Sequence, residues 1–342
     1  MNNKNINSID LNNYLFIQNI LERPLDLLQD LVRKILPSDK TLKISQEEKL
    51  ILKKRFKELL KRDLENVQKS YYPKTLLFQI PYFKYLKNTP LLLIEVLKMY
   101  YSIKNNLYNN LPKNVDLSNY PNYFTRNFHW QSDGYFSYKS AEIYDIGVEL
   151  LFLGTADIMR RQIIPPITNF LKDKDITNIK MLDVACGTSR VINQINKTHP
   201  NLDITGIDIS PFYIEYSKNN IKSDKIQFLQ ANAESLPFED NSFDIVSSVY
   251  LFHELPRNTR KKVLSEMYRV LKKDSLLVIE DSIQLNESKE IENVIYRFCK
   301  EFHEPYYKDY VQNPIENFIE ESGFNIINSE YHYVSKVVIS IK

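Results

Sequence analysis

Apolar residues recur with two different periods along the chain. The change from one period to the other divides the chain into two regions. From Leu11 to Leu36, and in further segments up to residue 125, apolar residues recur at helical spacing. From about Ile176 onwards, short β-branched runs alternate with amphipathic segments. The pattern predicts an N-terminal helical region over residues 1–125 and an α/β domain over residues 126–342, in which residues 126–170 form a cap.

One helix of the N-terminal region is well marked in the sequence. Ser45 and Glu48 have the spacing of a capping box, in which each side chain bonds the backbone N–H of the other residue. The apolar residues that follow recur on one helical face. They are Leu52, Phe56, Leu59, Leu60, Leu64 and Val67. We therefore expect a helix after Ser45 with one apolar face.

Seven short β-branched runs in the second half are strand candidates. The first five alternate with amphipathic helical segments, which predicts a parallel sheet with helices on both faces. The last two have no long helix between them and are predicted to form an antiparallel edge. The fold class is therefore α/β, with a seven-stranded doubly wound, Rossmann-like core from about Ser140 to Lys342. The runs are IKMLDV, DITGID, IQFLQ, DIVSSVY, SLLVIE, FNIINSE and KVVISIK.

Composition narrows the function classes. Lysine and arginine number 45 and aspartate and glutamate 43, so no strong field of the whole protein would attract nucleic acid. Cys186 and Cys299 cannot form a disulfide framework, which favours the reducing cytoplasm. The densest apolar run, at 90–97, is far too short to span a bilayer. We expect a soluble cytoplasmic protein without a transmembrane segment, for which peripheral membrane contact stays open.

The segment MLDVACGTSR at 181–190 leaves a predicted strand and enters a predicted helix. Gly187 allows the backbone to turn tightly against a ligand, and the helix can direct free N–H groups at that ligand. Asp208 ends the next strand 21 residues after Gly187, close to the spacing of an acidic residue that binds ribose hydroxyls. A dehydrogenase shares this arrangement but uses three loop glycines, and this loop has one, so the dehydrogenase alternative is the weaker one.

Four motifs resemble, in order and spacing, those of class I S-adenosylmethionine-dependent methyltransferases. They are LDVACGTS, GIDIS, ANAESLPFEDNSFDIV and EMYRVLKKDSLLVIED, within residues 182–281. The branch that they resemble most is the quinol C-methyltransferase type of ubiquinone, menaquinone and tocopherol synthesis. The whole chain also looks like a group of cyanobacterial and plastid methyltransferases. The resemblance implies a Rossmann-like methyltransferase fold with S-adenosyl-L-methionine as the cofactor.

The resemblance also implies a cofactor site. The loop at 183–187 would surround the methionine part of the cofactor, and Asp208 would bind its ribose. Tyr144 lies in a segment that closes over the cofactor in quinol methyltransferases. Arg160 and Arg161 either orient the cofactor carboxylate or form a solvated helix end. The implied cofactor-binding residues are Tyr144, Asp183, Ala185, Cys186, Gly187, Asp208, Ile209, Asn232 and Ala233.

Three catalytic residues are predicted from the histidine-containing segments. His253 and Glu254 follow the fourth strand, at the crevice where ligands of this fold bind. A histidine titrates near ~6.5, so His253 is predicted to remove or share the proton of a phenol or quinol acceptor, with Glu254 as its partner. The alternative is that His253 only bonds backbone. His303 lies between the fifth and sixth strands, where such enzymes build an acceptor lid, and is the third candidate.

Two aromatic segments are predicted to enclose the acceptor, FHWQSDGY before the core and FHEPYY in the lid. The alternative for the first segment is a packed aromatic cluster. A metal needs three or more convergent ligands, and adjacent His253 and Glu254 would point to opposite faces of an extended segment, so no metal is predicted. The predicted substrate-binding residues are His129, Trp130, Glu304 and Tyr307.

The predicted function is methyl transfer from S-adenosyl-L-methionine to a small, partly apolar acceptor such as a quinol or phenol. Two alternatives stay open. One is a methyltransferase that acts on protein or RNA and docks through the helical region. The other is a catalytically silent cofactor-binding module. A closed apolar chamber beside the methyl group would favour the small acceptor, whereas an open basic groove would favour a macromolecule.

Overall fold

A seven-stranded sheet forms the centre of the second half of the chain. The computed structural model describes residues 10–37 and 42–342. The strand order is β3-β2-β1-β4-β5-β7-β6, in which β1 to β5 are parallel and β7 and β6 are antiparallel. The strands are β1 (Lys180–Val184), β2 (Asp203–Asp208), β3 (Ile226–Gln230), β4 (Phe243–Val249), β5 (Leu271–Ser282), β6 (Asn325–His332) and β7 (Ser335–Ile341).

The sheet confirms the predicted fold class and the antiparallel edge. The central strands read as continuous apolar runs because helices cover both faces, as is usual for parallel sheets. In β1, Leu182 and Val184 face one core, whereas Met181 belongs to the other. The prediction for the fifth strand was too short: β5 begins at Leu271, four residues before SLLVIE, because Leu271 pairs with Phe243 of β4.

Helices cover both faces of this sheet. The face of Leu182 is covered by α9, α12 and α13, and the opposite face by α6 and α7. These helices and their neighbours lie in the second half of the chain. They are α6 (Ile164–Leu171), α7 (Arg190–Thr198), α8 (Pro211–Asn220), α9 (Arg257–Val270), α10 (Leu285–Ser288), α11 (Glu292–Glu301), α12 (Tyr307–Gln312) and α13 (Ile315–Glu321).

The N-terminal half is helical, as predicted. The capping box at Ser45 is confirmed, since Glu48 N–H bonds the Ser45 hydroxyl at 3.0 Å and Ser45 N–H bonds the Glu48 carboxylate at 2.7 Å. The division of the chain at residue 126 into two domains stays a prediction. The helices are α1 (Leu11–Ile35), α2 (Gln46–Gln68), α3 (Tyr82–Asn105), α4 (Tyr138–Leu151) and α5 (Ala156–Arg160).

The segment that contains Tyr144 and Arg160 is divided between two helices, α4 and α5. It breaks between α4 and α5, where Gly154 has a φ of +79°, a conformation that side chains with a Cβ rarely adopt. Arg160 and Arg161 have different partners, and Arg160 donates to Asp157 at 2.9 Å. Arg161 forms a buried, two-pronged contact with Asp63 of α2, so it stabilises the helical packing and does not face the cofactor.

Candidate active site

The loop between β1 and α7 lies at the carboxyl edge of the sheet, where the strand order reverses between β1 and β4. Ala185, Gly187 and Ser189 all have φ near +55 to +60° (59°, 53° and 60°), so the backbone turns sharply there. The Gly187 N–H donates to the Asp208 carboxylate at 2.9 Å, which ties the loop to the end of β2. A Cβ at Gly187 would meet no heavy atom within 4 Å, so the backbone itself faces open space.

A cavity of about 1080 Å³, including its mouth, lies over this loop. All nine residues predicted to bind the cofactor line it, including Tyr144 from α4. Their roles in cofactor binding stay predictions, but the structure brings all of them to one place. Aromatic residues also line the cavity, and Phe128 and Tyr135 among them belong to the predicted FHWQSDGY segment. The sequence did not identify the other three, which are Tyr123, Phe124 and Tyr213.

Two carboxyl groups in this cavity are poorly solvated. Burial raises the pKa of Asp183 to about 7, although the Ser247 hydroxyl donates to it and opposes the shift. Burial also raises the pKa of Asp208 to about 6, against the backbone N–H groups of Ser210 and Gly187. A ligand with hydroxyl donors would supply hydrogen bonds that the Asp208 carboxylate lacks, so the site fits the ribose of S-adenosyl-L-methionine.

A second chamber of about 940 Å³ adjoins the cofactor cavity, and we call it the acceptor chamber. Tyr144, Arg160 and Tyr250 line both spaces, so they mark the junction. The polar groups that line the chamber include His129, His253, Ser282 and Tyr307. Its apolar walls come from α3, α4 and α11 and include Leu92, Met99, Ile143, Val148, Leu151, Phe152, Phe298 and Phe302.

His253 lines the acceptor chamber and is paired with Asp281, not with the adjacent Glu254 as the sequence suggested. Its Nδ1 lies 2.6 Å from Asp281 Oδ1, and the same carboxylate accepts the backbone N–H groups of Phe252 and Ser282 at 2.7 Å each. The correction follows from geometry, because residues 252–254 form a short 3₁₀ turn that directs the two side chains apart. Burial opposes a charge on His253, but the Asp281 carboxylate outweighs it and raises the pKa of His253 to about 9.

Glu254 instead belongs to a cluster beside the cofactor cavity. Its carboxylate accepts the Tyr135 hydroxyl at 2.6 Å and lies 3.2 Å from His129 Nε2. The other ring nitrogen of His129 lies 2.7 Å from Glu304 Oε1, and Glu304 is fully buried. Burial opposes a charge on His129, but Glu304 and Glu254 outweigh it and raise the pKa of His129 to about 10. His129 is therefore an imidazolium held between two carboxylates.

The ligand atoms of His129, Glu254 and Glu304 lie within 4.8 Å of one another, close enough to suggest a metal site. However, both ring nitrogens of His129 already face a carboxylate, so the imidazole could coordinate a metal only by giving up one of these contacts. The ion pairs of the His129 imidazolium with the two carboxylates account for the arrangement. The prediction that the site uses no metal stays a prediction.

His303 and Trp130 are not brought to either chamber. The His303 ring lies 5.0 Å from the Tyr108 ring and 4.9 Å from the Trp130 ring, and Trp130 Nε1 donates to the Glu301 carbonyl at 3.0 Å. Burial, reinforced by the cations Arg126 and His129, lowers the pKa of His303 to about 4. These two residues form a packed aromatic cluster, which was the alternative interpretation of the FHWQSDGY segment, and the geometry gives His303 no place in proton transfer.

The remaining predicted substrate residues lie at the site. Tyr307 lines the acceptor chamber, and its hydroxyl lies 2.5 Å from the Ser282 hydroxyl. His129 also lines the chamber, whereas Glu304 lies behind it and contacts His129. Sequence reasoning missed Tyr250, which has a φ of 59° directly after β4 and a hydroxyl 2.5 Å from Ser335 Oγ. The sequence signal for Tyr250 was weak, since it consisted of a bulky residue between the fourth strand and His253.

The pairing of His253 with Asp281 predicts how stability depends on pH. Because folding raises the pKa of His253 above its ordinary ~6.5, the imidazolium stabilises the fold fully below that pH, and the stabilisation is lost as pH rises through about 9. Urea unfolding should therefore show a steeper loss of free energy of unfolding over this interval for the natural protein than for His253→Gln. His129 is present in both proteins, so the difference between the two slopes reports the loss of His253. Equal slopes would contradict the assigned pairing.

The comparisons with known proteins agree with this geometry. Residues 182–279 match a family model described as a methyltransferase domain. The chain is 31% identical over 160 residues to the demethylmenaquinone methyltransferase of Thermotoga maritima, which covers 47% of this chain and 65% of that protein. It is 29% identical over 206 residues to the ubiquinone/menaquinone biosynthesis C-methyltransferase UbiE of Campylobacter jejuni, covering 54% and 81%. A solved methyltransferase structure from Aquifex aeolicus aligns with 53% of this chain and 88% of its own, at 18% identity and a TM-score of 0.40.

Residues 182–279 match the model of a methyltransferase domain, and the sheet order and the loop after β1 agree with that match. Within that class, the relatives named above are methyltransferases of quinone biosynthesis. The predicted enzyme class and cofactor are confirmed at this level. None of the helices within residues 10–37 and 42–342 combines the length and apolar character that crossing a bilayer requires.

Proposed function

We propose that the protein transfers the methyl group of S-adenosyl-L-methionine to a small, partly apolar acceptor with an ionisable hydroxyl, such as a quinol or phenol. The observation that carries this proposal is the acceptor chamber. It meets the cofactor cavity at Tyr144, Arg160 and Tyr250, so an acceptor in the chamber would lie next to the cofactor. The names of the two relatives, which concern demethylmenaquinone and ubiquinone/menaquinone, support an aromatic hydroxylated acceptor.

The chemistry of the chamber supports a small molecule. Its walls are mainly apolar with a few polar groups, the character usual for small-ligand sites. A protein or RNA acceptor would need an open groove that reaches the cofactor. A silent module would need the space beside the cofactor to be filled, whereas here it continues into the chamber.

The chain's own residues suggest how the acceptor becomes nucleophilic. The Nδ1 of His253 is engaged by Asp281, so Nε2 is the ring atom left to face the chamber. With a pKa of about 9, His253 is an imidazolium at neutral pH and donates to the acceptor oxygen. This replaces the sequence-based view of His253 as a neutral base. The positive charge favours the ionised hydroxyl of a phenol or quinol, as does Arg160 at the junction.

The bound cofactor supplies an electrophilic methyl group on a sulfonium. The chain's contribution is to hold the acceptor in line with that group and to exclude water, because alignment supplies much of the rate of a displacement reaction. Arg160 is held in place by Asp157, to which it donates at 2.9 Å. Tyr250 is held by Ser335. Both junction residues are therefore fixed before the acceptor binds.

Filling the chamber should block the acceptor without disturbing the cofactor. Gly147 of α4 lines the chamber and does not line the cofactor cavity, and a Cβ there would meet no heavy atom within 4 Å. We expect Gly147→Leu to raise the acceptor KM about tenfold, because its side chain occupies acceptor volume, while calorimetry finds an unchanged Kd for S-adenosyl-L-methionine.

Gly147→Ala is the matched control, since it makes the same helix-favouring change but adds only a methyl group. It should keep an acceptor KM close to that of the natural protein. If Gly147→Leu folds, binds the cofactor and methylates the acceptor as well as Gly147→Ala does, the chamber is not the acceptor site.

A further inference from the structure

Helix α3 exposes an apolar face to solvent. Five large apolar side chains recur on this face at helical spacing, each at least half exposed. Near the centre of the helix, Ile94 and Leu97 are 50% and 59% exposed, values that are unusual for leucine and isoleucine on a solvated helix. The five are Phe83, Leu86, Ile94, Leu97 and Tyr101.

The exposed charged residues of α3 beside this face have one sign. Lys87, Lys98 and Lys104 are exposed and flank the apolar residues. The single acidic residue of α3, Glu95, lies on the opposite side, where it is 3% exposed and accepts the Ser132 hydroxyl at 2.9 Å. An apolar stripe bordered only by lysines is typical of helices that lie in the interface of an anionic membrane.

The neighbouring helix α1 continues the apolar character but not the charge pattern. Phe16 and Leu27 of α1 are 66% and 72% exposed, and α1 contacts α3. However, α1 also carries exposed acidic residues, among them Asp30. We therefore confine the docking surface to α3.

We propose that the exposed face of α3 binds the surface of an anionic lipid bilayer. The apolar residues would enter the boundary between headgroups and acyl chains, and the lysines would contact anionic headgroups. A face covered by a second copy of the chain would be expected to lack lysines around its apolar centre or to pair them with acidic residues, and α3 presents only cations.

The position of α3 suggests that this surface brings the acceptor to the enzyme, an inference that rests on the proposed function. Leu92, Glu95 and Met99 on the inner face of α3 line the acceptor chamber, while Ile94 and Leu97 face outward. One helix therefore separates the chamber from the proposed lipid surface. An apolar acceptor dissolved in the bilayer would meet the chamber without crossing bulk water.

Vesicle binding tests the proposal with the purified full chain, without cofactor or acceptor. Co-sedimentation should be strong with vesicles of phosphatidylcholine and phosphatidylglycerol, weaker with phosphatidylcholine alone, and weaker at high salt. Leu97→Glu should lower the partition coefficient about tenfold, because it removes apolar contact and adds a repelled charge. Lys87→Gln with Lys98→Gln should lower binding to anionic vesicles only.

Leu50→Glu is the matched control, because Leu50 is 67% exposed on α2, outside the proposed surface. It should bind anionic vesicles like the natural protein. Leu97→Glu should also methylate a water-soluble phenol at the natural rate, which separates failure of docking from failure of the proposed function. The proposal is overturned if the natural protein does not co-sediment with anionic vesicles, or if Leu97→Glu binds them equally well. It is also overturned if light scattering finds a dimer that the Leu97→Glu substitution dissociates.

Discussion

Replacing His253 by glutamine is expected to lower the turnover number by about 10²–10³-fold, the usual effect of removing one preorganised group that stabilises a developing or resting negative charge. His253 lines the acceptor chamber, its orientation is fixed by Asp281, and it is an imidazolium at neutral pH. Glutamine keeps a hydrogen-bond donor but carries no charge. The Kd for S-adenosyl-L-methionine should change by less than about threefold, since His253 does not line the cofactor cavity.

His199→Gln is the control for this substitution. His199 lies at the end of α7, where its Nε2 is 2.8 Å from the Thr168 hydroxyl, far in sequence and in the fold from the acceptor chamber. Its turnover number should match that of the natural protein. If both variants turn over at the natural rate, His253 has no role in catalysis. It then only secures the loop after β4, which was the alternative interpretation of this residue in the sequence.

Replacing Asp208 by asparagine should weaken S-adenosyl-L-methionine binding by about 100-fold, because hydrogen bonds to a charged acceptor contribute ~1.5–3 kcal/mol each. The partly buried Asp208 carboxylate lines the cofactor cavity and already orders the loop through Gly187. The turnover number at saturating cofactor should fall much less than the affinity. Calorimetry on the purified variant measures the first quantity and an initial-rate assay the second.

Asp203→Asn provides the matched comparison on the same strand. Asp203 begins β2, pairs with Lys225 at 3.0 Å and is distant from the carboxyl edge. Its loss should leave the Kd unchanged, because a surface ion pair contributes little. Equal affinities of the Asp208 and Asp203 variants would contradict the assignment of Asp208 to the ribose.

The fold and the cofactor cavity could be predicted because their signals are local. Each strand is a short run of β-branched residues, and the loop around Gly187 and the end of β2 at Asp208 lie next to such runs. The start of β5 was missed because KKDS is polar and resembles a turn. In the protein, Lys272 pairs with Asp244 near the start of β4, so polar residues extend the contact between the two strands.

The acceptor side could be predicted only in part because its residues converge from distant elements. His253 was located correctly at the crevice, but its partner Asp281 lies 28 residues away and its raised pKa depends on that contact. His303 and His129 looked alike in the sequence. Packing separates them, since His129 lies between two carboxylates and His303 between two aromatic rings.

The most direct test of the central claim is where the methyl group goes. The purified protein should be incubated with S-adenosyl-L-methionine labelled in its methyl group, together with a reduced naphthoquinol, a simple phenol, mixed RNA and unfolded protein in parallel reactions. We expect label in the naphthoquinol or the phenol and none in RNA or protein. Label confined to RNA or protein, or no transfer by a preparation that binds the cofactor, would contradict the account.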